Sequence, residues 1–250
     1  MSHAMKPIIE VSPEQRAEMD ERGFYVFPDV FSREEMEELS VALDAHEKRM
    51  RENLQSIGGE SGISRADEIT FTDHIAEQDE TVAAFLKRPE WIALTTAFLG
   101  PNVDLYWNQT VFKQPEAPRE FPWHQDDAYT PVVPAPYLTL WLAINDATPE
   151  NGCISVLPGS HLGGLRPHAP SPIGWVGYSS EEEDQGLLVP AAAGSVIAFW
   201  SLTLHKSGPN RSSGIRKAFV VQFCAEGLRL VEGNQLIEGL MPIAREGQPA

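Results

Sequence analysis

The stretch YLTLWLAINDATPENGCISVL, residues 137–157, contains two apolar runs on either side of a polar break. The runs 137–146 and 153–157 are rich in aliphatic and aromatic residues, which favour β-strands. The break includes Pro149 and Gly152, which are typical of turns. The stretch therefore predicts two short strands joined by a turn.

Similar runs occur on both sides of this stretch and are separated by Pro, Gly, Asn and Asp. Further candidate strands are residues 103–113, 121–126, 187–190, 195–200 and 216–224. Seven short strands within about 120 residues predict a sandwich or a barrel. Residues 158–186 form the longest irregular stretch, which in a compact domain is usually a functional or a disordered loop.

The residues before Pro101 have a helical pattern instead. Capping boxes at 12–15 and 32–35, in which a serine precedes Gln or Glu by three positions, predict two helix starts. We expect helices from 13 to Gly23, from 33 to about Gln55 and from Thr81 to Leu99, with a loop at 56–80. The expected architecture is one domain, 1–250, with flanking helices at about 12–100 and a mainly β core at about 101–225.

Composition and charge narrow the range of partners. The chain has 250 residues, a formal net charge of −17 and a sequence pI of about 4.7. Such an acidic surface repels phosphate backbones and anionic lipids, which argues against nucleic-acid and membrane partners. The two cysteines form no disulfide framework. We find neither a signal-peptide core nor an apolar run of roughly 18 residues, so we expect a cytoplasmic protein.

The tetrapeptide HQDD, which begins at His124, suggests half of a metal site. In an extended strand, side chains at i and i+2 lie on the same face, so His124 and Asp126 can bind one ion together. Gln125 and Asp127 then point away. The third ligand we expect is His205, which follows an apolar strand, because two imidazoles and one carboxylate form the facial triad suited to Fe(II). The alternative is a structural histidine beside a turn-capping aspartate.

Arg216 opens a long apolar strand eleven residues after His205. An arginine in such a strand is costly to bury without a partner. A dicarboxylate cosubstrate would supply that partner through a bidentate guanidinium–carboxylate pair. The alternative is an ordinary ion pair with an acidic residue, or exposure at the end of the strand.

The metal-site candidates belong to a longer series of motifs. The series consists of GFYVFP (23–28), HQD (124–126), LWLAINDATPENGC (140–153), LPGSH (157–161), HKSGPN (205–210) and Arg216. Taken together over roughly residues 18–225, it resembles the phytanoyl-CoA dioxygenase family of Fe(II)- and 2-oxoglutarate-dependent oxygenases. The combination is far more specific than any one of its motifs.

The resemblance implies a double-stranded β-helix, or jelly-roll, core and an oxygenase that uses Fe(II), 2-oxoglutarate and O2. It implies His124, Asp126 and His205 as the iron ligands. It also implies that Arg216 binds the distal carboxylate of 2-oxoglutarate, with Ser207 nearby as a hydroxyl donor.

Other positions have less direct counterparts. Trp141 lies where the family often has an aromatic residue lining the cosubstrate pocket. Gln109 and Lys113 share strand parity, so both are expected to face the same cavity. We expect His161, in the PGSH motif, to brace a turn rather than to bind iron.

The resemblance implies oxidation of a C–H bond, by hydroxylation or desaturation, in a small molecule such as a natural-product intermediate, with release of succinate and CO2. The carboxylate of Asp126 favours this over halogenation, because related halogenases have a small residue in its place. Candidate substrate contacts are Tyr129, Arg166, His168, Trp175 and Tyr178. Two alternatives stay open: a cupin-like metalloenzyme that does not use 2-oxoglutarate, and a catalytically silent jelly-roll binding module. The sequence does not indicate an oligomeric state.

Overall fold

The helices begin and end largely where the capping signals place them. The computed structural model describes residues 9–172, 174–177 and 186–250. Its α-helices are α1 (Pro13–Arg22), α2 (Arg33–Ser56), α3 (Glu80–Leu86) and α4 (Pro89–Leu99). The side chains of Ser12 and Ser32 each accept a hydrogen bond from the third residue of the helix, which confirms both capping boxes. Within the described ranges, no helix has the length and apolar character needed to span a membrane.

The single helix expected from Thr81 to Leu99 is wrong, because the chain forms two helices there. Arg88 has an extended backbone (φ −68°, ψ 150°) between α3 and α4. A residue that precedes proline is disfavoured in the helical region, and Pro89 is well suited to start a helix. The break is therefore a local effect of Pro89.

The seven expected strands are all present, with bounds that differ by at most a few residues. The strands are β1 (Phe24–Phe27), β2 (Glu60–Ser61), β3 (Ser64–Arg65), β4 (Ile69–Asp73), β5 (Val103–Lys113), β6 (Phe121–His124), β7 (Val132–Val133), β8 (Leu138–Ala143), β9 (Ile154–Val156), β10 (Ala169–Ser171), β11 (Gly174–Val176), β12 (Leu187–Val189), β13 (Val196–Trp200), β14 (His205–Ser207), β15 (Arg216–Ala225), β16 (Arg229–Leu230), β17 (Met241–Arg245) and β18 (Gln248–Pro249). The strand expected at 121–126 ends at His124, and Asp126–Ala128 form a 3-10 helix.

Two antiparallel sheets make up the core of the described chain. The larger has the order β1-β13-β8-β15-β5-β4-β3-β2, with β17 also paired to β5, and the smaller has the order β12-β9-β14-β6. From β5 onward the main strands alternate between the sheets, except that β9 and β12 follow one another in the smaller sheet and pair with each other. β5, β8, β13 and β15 belong to the larger sheet, and β6, β9, β12 and β14 belong to the smaller. This alternation is a double-stranded β-helix, so the expected jelly-roll core is confirmed.

The loop expected at 56–80 is also wrong, since it contains β2, β3 and β4. The pattern Ile69-Thr70-Phe71-Thr72-Asp73 alternates with period two, which was the available signal for a strand. Thr70 and Thr72 donate hydrogen bonds to Glu47 of α2 on the outer face of the sheet. Phe71 and Asp73 lie on the opposite, inner face, where they line a cavity.

The core is divided by the larger sheet. Its outer face packs against the helices through a cluster that includes Phe31, Trp91 and Phe223. Its inner face packs towards the smaller sheet through a second cluster that includes Trp141 and Ile154. The functional cavity therefore lies between the two sheets, on rigid strands.

The irregular stretch after β9 contains a 3-10 helix (Ser160–Gly163) and the hairpin of β10 and β11. His161 Nε2 donates to the carbonyl oxygen of Asp20 at 3.0 Å, and so connects this stretch to α1. The ring packs closely on Gly23 (φ +81°), where an added Cβ would lie 2.4 Å from His161 Nδ1. The structure thus places His161 as a brace, away from the iron-ligand candidates.

Candidate active site

The three metal-ligand candidates converge at one end of the smaller sheet. His124 ends β6, His205 begins β14, and the two residues are direct register partners. Asp126 follows in the 3-10 helix. Its Oδ1 lies 3.6 Å from Nε2 of each histidine, and the three ligand atoms all lie within 4.8 Å of one another.

Backbone carbonyls fix the orientation of both imidazoles. His124 Nδ1 lies 2.8 Å from the carbonyl oxygen of Pro122, and His205 Nδ1 lies 3.0 Å from that of Thr203. A carbonyl oxygen only accepts hydrogen bonds, so each Nδ1 carries the proton and each Nε2 presents a lone pair. Burial, reinforced by His124, lowers the pKa of His205 to about 4, so this ring is neutral at pH 7.

The carboxylate of Asp126 is held by two donors that the sequence analysis missed. Thr139 Oγ1 donates to Oδ2 at 2.6 Å, and Gln222 Nε2 donates to the same atom at 3.0 Å. Burial opposes ionisation of Asp126. Attraction to His205, which is protonated below about pH 4, outweighs this effect together with the contacts with His124 and the Thr139 hydrogen bond, and the pKa of Asp126 falls to about 2. Thr139 and Gln222 are polar residues within apolar strands, and that pattern was the signal for finding them.

This arrangement fits a divalent metal ion. Metal–imidazole and metal–carboxylate bonds are about 2.1 Å long, so two ligand atoms on one ion lie at most about 4.2 Å apart. The separation of 3.6 Å between Asp126 Oδ1 and each Nε2 satisfies this limit. Because Oδ2 is occupied by its two donors, only Oδ1 faces the histidines. The site therefore offers three ligand atoms on one side and leaves the other side open, as in the facial triad.

The other two residues of HQDD have structural contacts. Gln125 is fully buried, and its side-chain amide donates to the carbonyl oxygens of Gly164 and Leu202. Asp127 is buried apart from the ligand cluster. Burial raises the pKa of Asp127 to about 6, although the backbone N–H of Val132 donates to it. The period-two argument thus separates the two aspartates as expected.

Arg216 is the most distinctive cation of the core. It is fully buried, its Nη1 donates to the carbonyl oxygen of Val111 at 3.3 Å, and its guanidinium lies 5.4 Å from the ring centre of Trp141. Its Nε and Nη2 have no hydrogen-bond partner among the described residues. Burial lowers its pKa to about 10, which leaves it positively charged at pH 7. Unpaired guanidinium donors in a buried position fit a carboxylate ligand.

One cavity joins these features. Its volume is about 600 Å³, which is within the usual range for ligand sites. The predicted site residues that line it are His124, Asp126, His205, Arg216, Ser207, Trp141, Gln109 and Tyr129. The structure therefore brings the metal candidates, the arginine and one substrate candidate into the same space.

Lys113 occupies a different position from the one expected. It is the register partner of Arg216 on β5 and shares its face, but it does not line the cavity. Its Nζ donates to the carbonyl oxygens of Ser207, Gly208 and Arg119. Burial, followed by repulsion from Arg216, lowers its pKa well below the ordinary value. The turn after β14 closes this end of the sheet, so Lys113 anchors that turn.

Two of the loop candidates, His168 and Arg166, do not line the cavity. His168 Nδ1 donates to the carbonyl oxygen of Arg166 at 2.8 Å, and its Nε2 accepts a hydrogen bond from the backbone of Gln125 at 3.0 Å. The backbone N–H of Arg166 donates to the side chain of Gln125. Neither residue lines the cavity, because the loop is fixed to the strand end behind the metal ligands. Trp175 is described by its backbone in β11 only, and Tyr178 lies outside the described residues.

Comparison with known proteins gives a family match over most of the chain. The family described as phytanoyl-CoA dioxygenase (PhyH) matches residues 19–218. The peroxisomal phytanoyl-CoA dioxygenase of Homo sapiens is 25% identical over 239 residues, which cover 88% of this chain and 70% of the human protein. A probable alpha-ketoglutarate-dependent hypophosphite dioxygenase of Stutzerimonas stutzeri is 28% identical over 155 residues, with 58% of this chain and 54% of that protein covered.

Solved structures confirm the fold. The alpha-ketoglutarate-dependent carbocyclase SnoK from nogalamycin biosynthesis superposes with a TM-score of 0.75 and 21% identity, covering 93% of this chain and 96% of that one. EvdO2 from Micromonospora carbonacea var. aurantiaca, solved with 2-oxoglutarate, superposes with a TM-score of 0.71 and 23% identity, covering 92% and 97%.

The family match spans 200 residues (218 − 19 + 1), which is most of the 250-residue chain. It covers the two histidines, the aspartate and the arginine described above, and the predicted family, enzyme class and cofactors are confirmed. This chain belongs to the phytanoyl-CoA dioxygenase family of non-haem Fe(II)- and 2-oxoglutarate-dependent oxygenases.

Proposed function

We propose that this enzyme oxidises a C–H bond of a small molecule, with His124, Asp126 and His205 as its iron ligands and Arg216 as the anchor of 2-oxoglutarate. The observation that carries the proposal is the unpaired, buried guanidinium of Arg216 in the same cavity as the convergent ligand atoms. When bound, iron and its cosubstrate supply the oxidising chemistry, in which substrate, 2-oxoglutarate and O2 give hydroxylated substrate, succinate and CO2.

The chain's own residues prepare the metal site before any ligand arrives. The hydrogen bonds of Nδ1 in His124 and His205 hold each Nε2 towards the cavity. Thr139 and Gln222 hold Oδ2 of Asp126, so Oδ1 is the atom directed at the metal position. Such outer contacts orient the ligands and increase their affinity for the metal.

Arg216 supports 2-oxoglutarate binding through both charge and geometry. An anionic carboxylate would receive hydrogen bonds from Nε and Nη2, which have no other described partner. Ser207 lines the same cavity and can add a hydroxyl donor, while Trp141 covers the guanidinium. The alternative of an internal ion pair is not supported, since no described acidic side chain pairs with Arg216.

The outcome that we propose is hydroxylation or desaturation. Asp126 occupies the third ligand position with a carboxylate, and this takes the space that a halide would need there. A small-molecule substrate agrees with the cavity volume of about 600 Å³. A natural-product intermediate is supported by the fold-level likeness to SnoK and to the epimerase SnoN, which was solved with Fe3+, alpha-ketoglutarate and a nogalamycin compound at 21% identity and a TM-score of 0.69.

The test compares Arg216→Met with Lys217→Met, its neighbour on the opposite face of β15. Lys217 pairs with Asp44 and lies outside the cavity. Succinate formation from 2-oxoglutarate is measured with Fe(II) and O2. Loss of one partner of a buried charged pair costs about 2 kcal/mol or more, so the KM for 2-oxoglutarate should rise at least about 30-fold in Arg216→Met. Lys217→Met should stay within about twofold of wild type.

An unchanged KM for 2-oxoglutarate in Arg216→Met would contradict the anchor role. The absence of any succinate from the wild-type protein under these conditions would contradict the use of 2-oxoglutarate. In that case the cupin-like alternative, in which Arg216 is dispensable, would be preferred.

A further inference from the structure

The cavity continues beyond the metal site along the inner face of the larger sheet. Asp73 of β4 is the register partner of Gln109 on β5, which in turn pairs with Val220 on β15. One row away, Trp107 of β5 pairs with Gln222, the donor to Asp126. The aromatic residues that line the cavity are Phe71, Tyr106, Trp107, Phe121, Tyr129, Tyr137, Trp141 and Phe199. This part of the cavity therefore has an aromatic wall.

Asp73 is a charged residue of this wall whose carboxylate has no role in the metal site or in the fold. Among the described lining residues, the carboxylates are Asp126 and Asp73. Asp126 belongs to the metal site. Asp73 is exposed at the end of β4, and its carboxylate makes no hydrogen bond or ion pair with a described residue. It contributes nothing evident to the fold, and it faces the space that a substrate would occupy.

The positive charges that could attract an anionic substrate are placed elsewhere. Of the described lining residues, Arg216 and Lys206 are the cations, and Arg216 is assigned to the cosubstrate. Lys206 lines the cavity, but its ammonium lies near the side chains of Trp123 and Glu120. Its ammonium lies 5.4 Å from the ring centre of Trp123 and 3.8 Å from Glu120. A phosphorylated or carboxylated substrate would thus meet Asp73 without a compensating cation, on a protein of net charge −17.

We propose, as an extension of the proposed function, that the substrate is an aromatic small molecule with a basic nitrogen, which is received by Asp73. The ring of Trp107, which lines the same cavity, favours such a ligand through cation–π attraction. β4 is two strands away from β15, which carries the donor to Asp126. With strands spaced about 4.8 Å apart, about 10 Å separates the strand that carries Asp73 from the strand that carries the donor to Asp126. The same charges disfavour coenzyme A thioesters and other polyanions.

The test uses three probes with one ring system: naphthylethylamine, naphthylethanol and naphthylacetate. Each is titrated calorimetrically into protein loaded with Mn(II) and 2-oxoglutarate. The variants are Asp73→Asn and, as a matched control, Asp67→Asn, an exposed carboxylate outside the cavity. We expect the amine to bind wild type and Asp67→Asn at least tenfold more tightly than the acetate, and Asp73→Asn to lose this preference.

Equal binding of amine and acetate by wild type, or a preserved amine preference in Asp73→Asn, would overturn the proposal. The binding of 2-oxoglutarate to the Mn(II)-loaded protein is measured first, because it distinguishes failure of the proposed function from failure of the substrate proposal. Its loss in wild type counts against the proposed function itself. Its retention in Asp73→Asn shows that a changed preference arises at the substrate end of the cavity.

Discussion

Thr139→Val is expected to weaken metal binding about tenfold while the fold is retained. The hydroxyl of Thr139 donates to Oδ2 of Asp126 at 2.6 Å in a buried position, and valine has the same shape without this donor. Hydrogen bonds to charged groups contribute about 1.5–3 kcal/mol. Gln222 still donates to Oδ2, so we assign the lower end of this range, about 1.5 kcal/mol, to metal affinity. This corresponds to about a tenfold change in the dissociation constant.

The assay is a calorimetric titration of Mn(II) into metal-free protein at pH 7.5. The control is Thr110→Val, because Thr110 is also fully buried but its hydroxyl has no partner among the described residues and lies outside the cavity. That variant should bind Mn(II) as wild type does. Equal Mn(II) affinity in Thr139→Val and wild type would refute the view that Thr139 positions the carboxylate. A matched loss in Thr110→Val would assign the effect to general destabilisation.

Two further predictions concern stability. Burial raises the pKa of Glu47 from 4.5 to about 7, so the unfolding free energy should fall by about 3 kcal/mol as pH rises from 4.5 to 7. In urea titrations, Glu47→Gln should reduce this dependence on pH. Glu52→Gln, a substitution of an exposed glutamate, should leave the dependence unchanged. Gly194→Ala should lower Tm strongly, because its Cβ would lie 2.0 Å from the carbonyl oxygen of Phe31 at φ +85°. Gly59 has φ +91° and no atom within 4 Å of an added Cβ, so Gly59→Ala should cost only the backbone strain of about 1–2 kcal/mol. An equal fall in Tm for the two glycine variants would contradict the role of the clash with Phe31.

Local patterns were sufficient for much of the fold and for the centre of the site. The helix starts at Ser12 and Ser32 depend on contacts within four residues, and β5 was expected with its observed bounds. The separation of Asp126 from Asp127 follows from the alternation of a strand, which continues through the extended backbone of Gln125 although β6 ends one residue earlier. These features depend on residues that are close together in the sequence.

Features that depend on distant register could not be found in this way. Gln222 reaches Asp126 only because β15 lies next to β8, where Thr139 makes the same contact. Lys113 has the parity expected for a cavity residue, but the turn after β14 supplies carbonyl oxygens that its ammonium binds. His168 likewise contacts the backbone of Gln125, since the loop is held against that strand end. The alternation of side chains along a strand predicts which face of the sheet a residue lies on. Its partners on that face depend on tertiary contacts.

The most direct test of the central claim is Fe(II)-dependent succinate formation in Asp126→Ala and Asp127→Ala, with folding checked by circular dichroism. Loss of an outer contact alone typically costs 10–100-fold, so loss of the ligand itself should lower turnover by at least about 100-fold in Asp126→Ala. Asp127→Ala, which leaves the three ligand atoms in place, should retain iron-dependent turnover. Wild-type turnover in a folded Asp126→Ala protein would contradict the assignment of the metal site.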